Sequence, residues 1–288
     1  MELQEKKALQ VFAVRIRMAA LEAIHSIGSG HVGGVMSIAD TLAVLYGREM
    51  RVRPEDPKWP DRDYLVMSKG HAGPAVYATL ALKGFFPYEE LKTLNRGGTR
   101  LPSHCDRNKT PGVDMTTGSL GQGTSQAAGL ALGCRLKGRN SRVFLIVGDG
   151  EMQEGQCWEA FLFASAKKLS NLVVLIDWNK RQLDGYLDEV LPMGNFAAKM
   201  EAFGFDTVTV DGGDVEAVAA ALERTRMGGD KPFAIVLDTV KGHGVDEVEN
   251  TAMNHSMPVT DERFANWTAE LQSRLDVLEG RDNGENRI

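Results

Sequence analysis

The tightest constraint on this chain is a series of short apolar or β-branched runs, at 64–67, 143–147, 172–176, 207–210 and 233–237, separated by helix-length stretches. Such runs are too short for helices, and most lack the polar alternation of a strand with one wet face. They read as strands buried on both sides. The stretches between them, among them 122–137, 156–168, 196–203 and 215–226, read as helices. Repetition of this βαβ unit predicts an α/β fold with a mostly parallel sheet and helices on both faces. In such a sheet, ligands bind beyond the carboxyl ends of the strands.

Upstream, Leu9, Phe12, Ile16, Ala20 and Ala23 recur at three- and four-residue spacing and predict an amphipathic helix ending before Gly28. Ser37 and Asp40 form an S-x-x-D start signal for a second helix, with Ile38, Leu42 and Leu45 as its apolar stripe. Pro54, Pro57 and Pro60 mark a loop. No internal repeat or Pro/Ser/Gly-rich linker divides the chain, so one domain over 1–275 is expected, with the polar stretch 276–288 as a loose tail. The 43% hydrophobic content supplies a core for a domain of this size.

A net charge of −6 without a basic block argues against nucleic acid or an anionic membrane as partner, so any anionic ligand must be met locally. Cys105, Cys134 and Cys157 are odd in number and lack CxxC spacing, which disfavours a disulfide framework or a zinc site and suits a reducing compartment. With no signal-peptide pattern and no membrane-length apolar run, a cytoplasmic location is expected.

The most specific local signal is the run 143–147 followed by Gly148-Asp149-Gly150 and then Glu151-Met152-Gln153-Glu154-Gly155 opening a helix. Glycines permit close approach of a ligand, Asp149 places a carboxylate at the strand end, and a helix amino terminus favours phosphate. One βαβ unit later the run 172–176 leads into Asp177-Trp178-Asn179. Asp149, the Asn179 amide oxygen and a backbone carbonyl could together hold a hard divalent cation that also bridges two phosphate oxygens. Taken alone, Gly-Asp-Gly is equally a tight turn.

That pair of motifs resembles the diphosphate-binding motif of thiamine-diphosphate enzymes. Ser29-Gly30-His31, Ser68-Lys69-Gly70-His71-Ala72, Thr117-Gly118-Ser119-Leu120-Gly121-Gln122-Gly123 and the 148–155 segment look like transketolase motifs in transketolase order, over nearly all of 8–258. The resemblance implies the thiamine diphosphate-binding fold and assigns roles by motif. His31 and His104 would contact substrate oxygens, while His71 and His255 would lie by the diphosphate and reaction centre. Gly118 and Leu120 would touch the pyrimidine side and Gly150 the diphosphate. Asp149, Asn179 and the Arg181 carbonyl would bind magnesium, calcium or manganese. Glu154 matches an acidic residue that couples active sites across the family's dimer interface; its plain reading is a carboxylate at a helix amino terminus.

Val32 and Ser119 stand where many transketolases carry proline, and Trp178 where an acidic residue is common. Lys241-Gly242-His243-Gly244 looks closer to separately encoded amino-terminal subunits. The family's catalytic glutamate and sugar-phosphate-binding arginines come from a further domain, so a separate pyrimidine-binding C-terminal partner in an α2β2 assembly is expected. The implied activity is transfer of a two-carbon ketol unit from a ketose phosphate to an aldose. A 2-oxo-acid decarboxylating component or a deoxyxylulose-phosphate synthase is the alternative, and the four histidines favour a polyhydroxylated substrate instead. Gly28-Ser29-Gly30-His31-Val32-Gly33 also fits G-x-G-x-x-G, but it follows a helical pattern where a dinucleotide fingerprint needs a strand.

Overall fold

The computed structural model describes residues 1–227 and 229–281. Five parallel strands form the central sheet: β1 Tyr64–Met67, β2 Val143–Gly148, β3 Leu172–Trp178, β4 Asp206–Asp211 and β5 Phe233–Asp238, in the order β1-β2-β3-β5-β4. β1, β2, β3 and β5 are buried almost throughout, as their unbroken apolar runs require, whereas edge strand β4, with its Thr-Val-Thr-Val sequence, is at most half-buried. Pleating sends Phe144, Ile146, Val173 and Leu175 to one face and Val143, Leu145, Val174 and Ile176 to the other. Each such side chain contributes about 1.5–3 kcal/mol when fully buried.

The first face packs on helices α1 Leu3–His25, α3 Ala39–Val44, α4 Gly73–Leu82, α8 Val215–Arg224 and α9 Asp261–Glu279. The short α2 Val32–Met36 lies ahead of α3, and α5 Gln122–Leu136, α6 Gly155–Ala166 and α7 Phe196–Ala202 cover the second face. Helices therefore flank the parallel sheet on both sides, as expected. No helix among the described residues is long and apolar enough to cross a membrane.

Three local expectations change. Ser37 caps no helix: α3 follows Ile38 without a side-chain cap, Ser37 instead donates to Asp177 at 2.8 Å, and Asp40 pairs with buried Arg17. The tertiary partners outcompete the local cap. The segment after Gly150 forms a 3-10 turn over Glu151–Gln153, so α6 starts later, at Gly155. Beyond Leu275, α9 continues to Glu279 and ends at Gly280, whose φ of 73° suits glycine; 282–288 of the expected tail lie outside the described residues.

Register aligns the functional edge. Gly148 sits opposite Asp177 and Asp177 opposite Leu237, so β2, β3 and β5 end level and their following loops emerge together. A two-residue antiparallel pairing, Ser29 to Pro258 and Gly30 to Met257, ties the loop after α1 to the late loop before α9.

Candidate active site

Four loops deliver one histidine each to this edge. His31 is held by the Ser29–Gly30 pairing, and Gly33 N donates to Asn254 O at 3.0 Å, drawing in the neighbour of His255. His71 sits in the turn after β1, and His104 lies beside Gly118, where an added Cβ would meet its ring at 3.2 Å. The His31 ring centroid is 5.3 Å from His71, 6.0 Å from His104 and 5.2 Å from His255; His71 and His255 are 5.0 Å apart.

All four imidazoles are held below the ordinary histidine range. Burial is the leading cause in each, reinforced at His31 by His104 and Lys241 and at His71 by Lys69 and His255. Burial and then Lys241 push His255 down to about 3. At neutral pH the group is uncharged, and each ring offers one donor and one acceptor. The Lys241 ammonium donates to His255 Nδ1 at 3.0 Å, which puts that ring's proton on Nε2.

Beside the histidines, Asp149 accepts from Gly150 N at 2.8 Å and Lys180 N at 2.6 Å. Asp149 N in turn donates to Asp177 O at 3.2 Å. Lys180 takes a left-handed φ of 67°, which turns the backbone so that the Arg181 carbonyl accepts from Lys241 Nζ at 3.0 Å. The Asn179 amide oxygen accepts from Arg181 N at 3.2 Å. Burial, then Asp177, raises the Asp149 carboxyl to about 7, as expected for an anion short of positive charge.

These groups line one cleft of about 410 Å3, together with Lys69, Gly118, Leu120, Gly150, Glu154 and Arg181. Two roomier hollows, around Phe205 and Phe233 and around Asp211 and His243, hold none of the expected site residues. Every expected site residue therefore reaches one cleft. Glu154 is the residue preceding α6; it lies exposed on the rim and its side chain caps nothing.

Three further residues emerge only in three dimensions. Glu151, 3% exposed, accepts from Gly121 N at 2.8 Å, Gly148 N at 3.1 Å and the Ser68 hydroxyl, so one carboxylate ties three motif loops together. Lys69 and Lys241 bring buried ammonium groups to the cleft, and burial followed by Lys69 lowers Lys241 to about 8. All three lie inside the glycine-rich motifs, where a charged residue among glycines was the available signal.

The family profile described as "Transketolase, thiamine diphosphate binding domain" matches residues 8–274. The chain belongs to the transketolase family. It is 47% identical over 264 residues to a 6-deoxy-6-sulfo-D-fructose transketolase subunit of Clostridium sp. MSTE9, covering 92% of this chain and 96% of that protein. Over 279 residues it is 33% identical to an apulose-4-phosphate transketolase subunit of Phocaeicola vulgatus, covering 97% and 99%. The solved Campylobacter jejuni transketolase superimposes with a TM-score of 0.87 at 29% identity, over 94% of this chain and 43% of that one. The chain thus spans under half of that solved transketolase but nearly all of the two proteins named as subunits. Its sheet and flanking helices are the thiamine diphosphate-binding fold.

The transketolase cleft suits the cofactor and a hard cation. A Cβ at Gly150 would sit 2.9 Å from Gln182, and Gly118 holds a φ of 141°, so the backbone there is bare by necessity. Leu120, 41% exposed, presents an apolar surface on the cleft wall. No cluster of three His, Cys, Asp or Glu stands ready for a metal among the described residues. A carboxylate, an amide oxygen and a carbonyl fit a magnesium-like ion that takes its remaining ligands from phosphate and water.

Proposed function

We propose that this chain is the diphosphate-binding subunit of a split transketolase, moving a two-carbon ketol unit from a ketose to an aldose acceptor. The observation that carries the reading is the convergence of His31, His71, His104 and His255 beside Asp149 and Asn179 at the strands' carboxyl ends. Asp149, Asn179 and the Arg181 carbonyl would hold magnesium, with Gly150 against the diphosphate and Gly118 and Leu120 toward the pyrimidine. When bound, thiamine diphosphate supplies the nucleophilic carbon and the electron sink for the two-carbon fragment.

The chain's own part is binding and proton management. Neutral His31 and His104 can donate to one sugar oxygen and accept from another, and His255, with its proton on Nε2, can donate to a developing oxyanion. Lys69 and Lys241 add positive charge opposite the anionic diphosphate.

A separate pyrimidine-binding subunit completes the site, with two copies of each chain; alignment over most of both lengths with proteins named as subunits supports the separate partner. The three free, buried cysteines suit a cytoplasmic complex. The name of the 47% identical relative makes 6-deoxy-6-sulfo-D-fructose the first donor to try, beside ketose phosphates.

The test is a two-carbon-transfer assay with magnesium and thiamine diphosphate, on the purified chain and on the chain with its partner. Activity is expected only in the pair; robust turnover by the chain alone overturns the split-enzyme reading.

A further inference from the structure

Behind the expected ligand Asn179 lies an aspartate that is not itself in the expected ligand set. Asp177 is fully buried at the end of β3. It accepts from the Lys69 ammonium, from the Ser37 hydroxyl at 2.8 Å, from the Thr239 hydroxyl at 2.7 Å and from the Asn179 amide NH2 at 2.9 Å. Four donors, one of them an ammonium, converge on this carboxyl and leave it acceptor roles only.

An ionised carboxylate accepts hydrogen bonds and cannot donate them. An asparagine amide presents an NH2 and an oxygen on opposite sides, and its orientation follows the partners it finds. With Asn179 Nδ2 committed to Asp177 Oδ2, its oxygen points the other way, where it now accepts from Arg181 N at 3.2 Å. We propose that Asp177 is a positioning residue: anchored by Lys69, Ser37 and Thr239, it selects the amide orientation that presents the Asn179 oxygen to the site's divalent cation.

This assignment rests on the metal-and-diphosphate reading of the cleft. It goes further by assigning the acid, the base and the two hydroxyls behind the ligand to a task. Asp177→Leu removes the selection, because nothing on that side then accepts from the Asn179 NH2. Asp177→Asn keeps it: Lys69 and Ser37 donate to the same oxygen that accepts from the Asn179 NH2, so they hold the new amide's oxygen on that side. Neither variant alters the expected ligand set itself.

The experiment measures Mn2+ uptake by electron paramagnetic resonance in the assembled enzyme, chain plus partner subunit, with excess thiamine diphosphate. D177L should bind Mn2+ about 10- to 100-fold more weakly, the usual loss when a partner behind a metal ligand is removed. D177N should stay within about tenfold of wild type, a retention by the conservative variant that separates orientation from charge. If D177L does not fold, D177N alone decides, and a larger than about tenfold loss in the folded protein overturns the assignment. Equal Mn2+ affinity in D177L and wild type overturns it too, as does equal loss in the two variants. Wild-type enzyme that takes up no Mn2+ overturns the metal-site reading itself, and this inference with it.

Discussion

Asp149→Ala separates a metal ligand from a turn aspartate. The side chain accepts two backbone hydrogen bonds, from Gly150 N at 2.8 Å and Lys180 N at 2.6 Å. Bonds to charged acceptors contribute about 1.5–3 kcal/mol each, so losing both costs roughly 3–6 kcal/mol before any compensation. Against that stands the burden of burying the charge. The rise of the carboxyl from 3.8 to about 7 corresponds to about 4 kcal/mol of bias against the ionised form. That bias is already net of the two hydrogen bonds, so the carboxylate burdens the cation-free fold and the variant should fold and melt no lower than wild type. Cation binding has no such compensation, because the alanine removes the only carboxylate in the expected ligand set. The loss should exceed the 10- to 100-fold typical of removing a partner behind a ligand, which places it above about 2.7 kcal/mol. Calorimetry of magnesium-dependent thiamine diphosphate binding to the assembled enzyme, with circular dichroism as the folding control, reads both quantities. Unchanged affinity in a folded variant would refute the ligand assignment.

His31→Ala should leave cofactor affinity intact and lower turnover with a ketose donor on the order of a hundredfold, and wild-type kcat/KM would remove the residue from the chemistry. Glu151→Ala strands the Gly121 and Gly148 amides and the Ser68 hydroxyl, so stability should drop by about 3 kcal/mol or more, read as a lower Tm; an unmoved Tm contradicts the tie between the three loops. The lowered histidines make acid destabilising. Unfolding returns His255 from about 3 to the ordinary 6.5, so below that value the unfolded chain binds protons that the folded chain refuses. Stability from these groups is complete above pH 6.5 and declines as pH falls toward 3. His255→Gln should therefore show a flatter Tm between pH 7 and 5 than wild type, and identical slopes would disprove the coupling.

The sheet was legible because burial leaves a one-dimensional trace: a strand covered on both faces must be apolar at every position, and four of the five runs are. Amphipathic α1 and α8 were readable for the same reason, one face wet and one dry. Helix α4 was not, since Gly73-Pro74-Ala75-Val76-Tyr77-Ala78-Thr79-Leu80-Ala81 is buried all round and leaves no periodic stripe. Helix α9 carried unread signals: the Thr260 cap, Asp261 and Glu262 in the first turn, and Trp267, Leu271 and Leu275 four residues apart on the buried face.

The motif glycines, the Gly-Asp-Gly turn and the histidine-bearing loops were chemically legible one by one, because each needs only its immediate neighbours. Their assembly was decided in three dimensions. Level strand ends bring Asp149 and Asn179 together, and the Ser29–Gly30 pairing with Met257–Pro258 brings His255 to His31. The same holds for Ser37, which reads locally as a cap yet donates to Asp177, and for Glu151, which accepts from Gly148 in its own motif and from Ser68 and Gly121 in two distant ones. Local sequence encodes which conformations and burial patterns a segment prefers. Which polar groups meet inside the protein depends on contacts between distant segments, where an unpaired buried donor or acceptor is too costly to leave, and only the folded sheet edge settles those pairings.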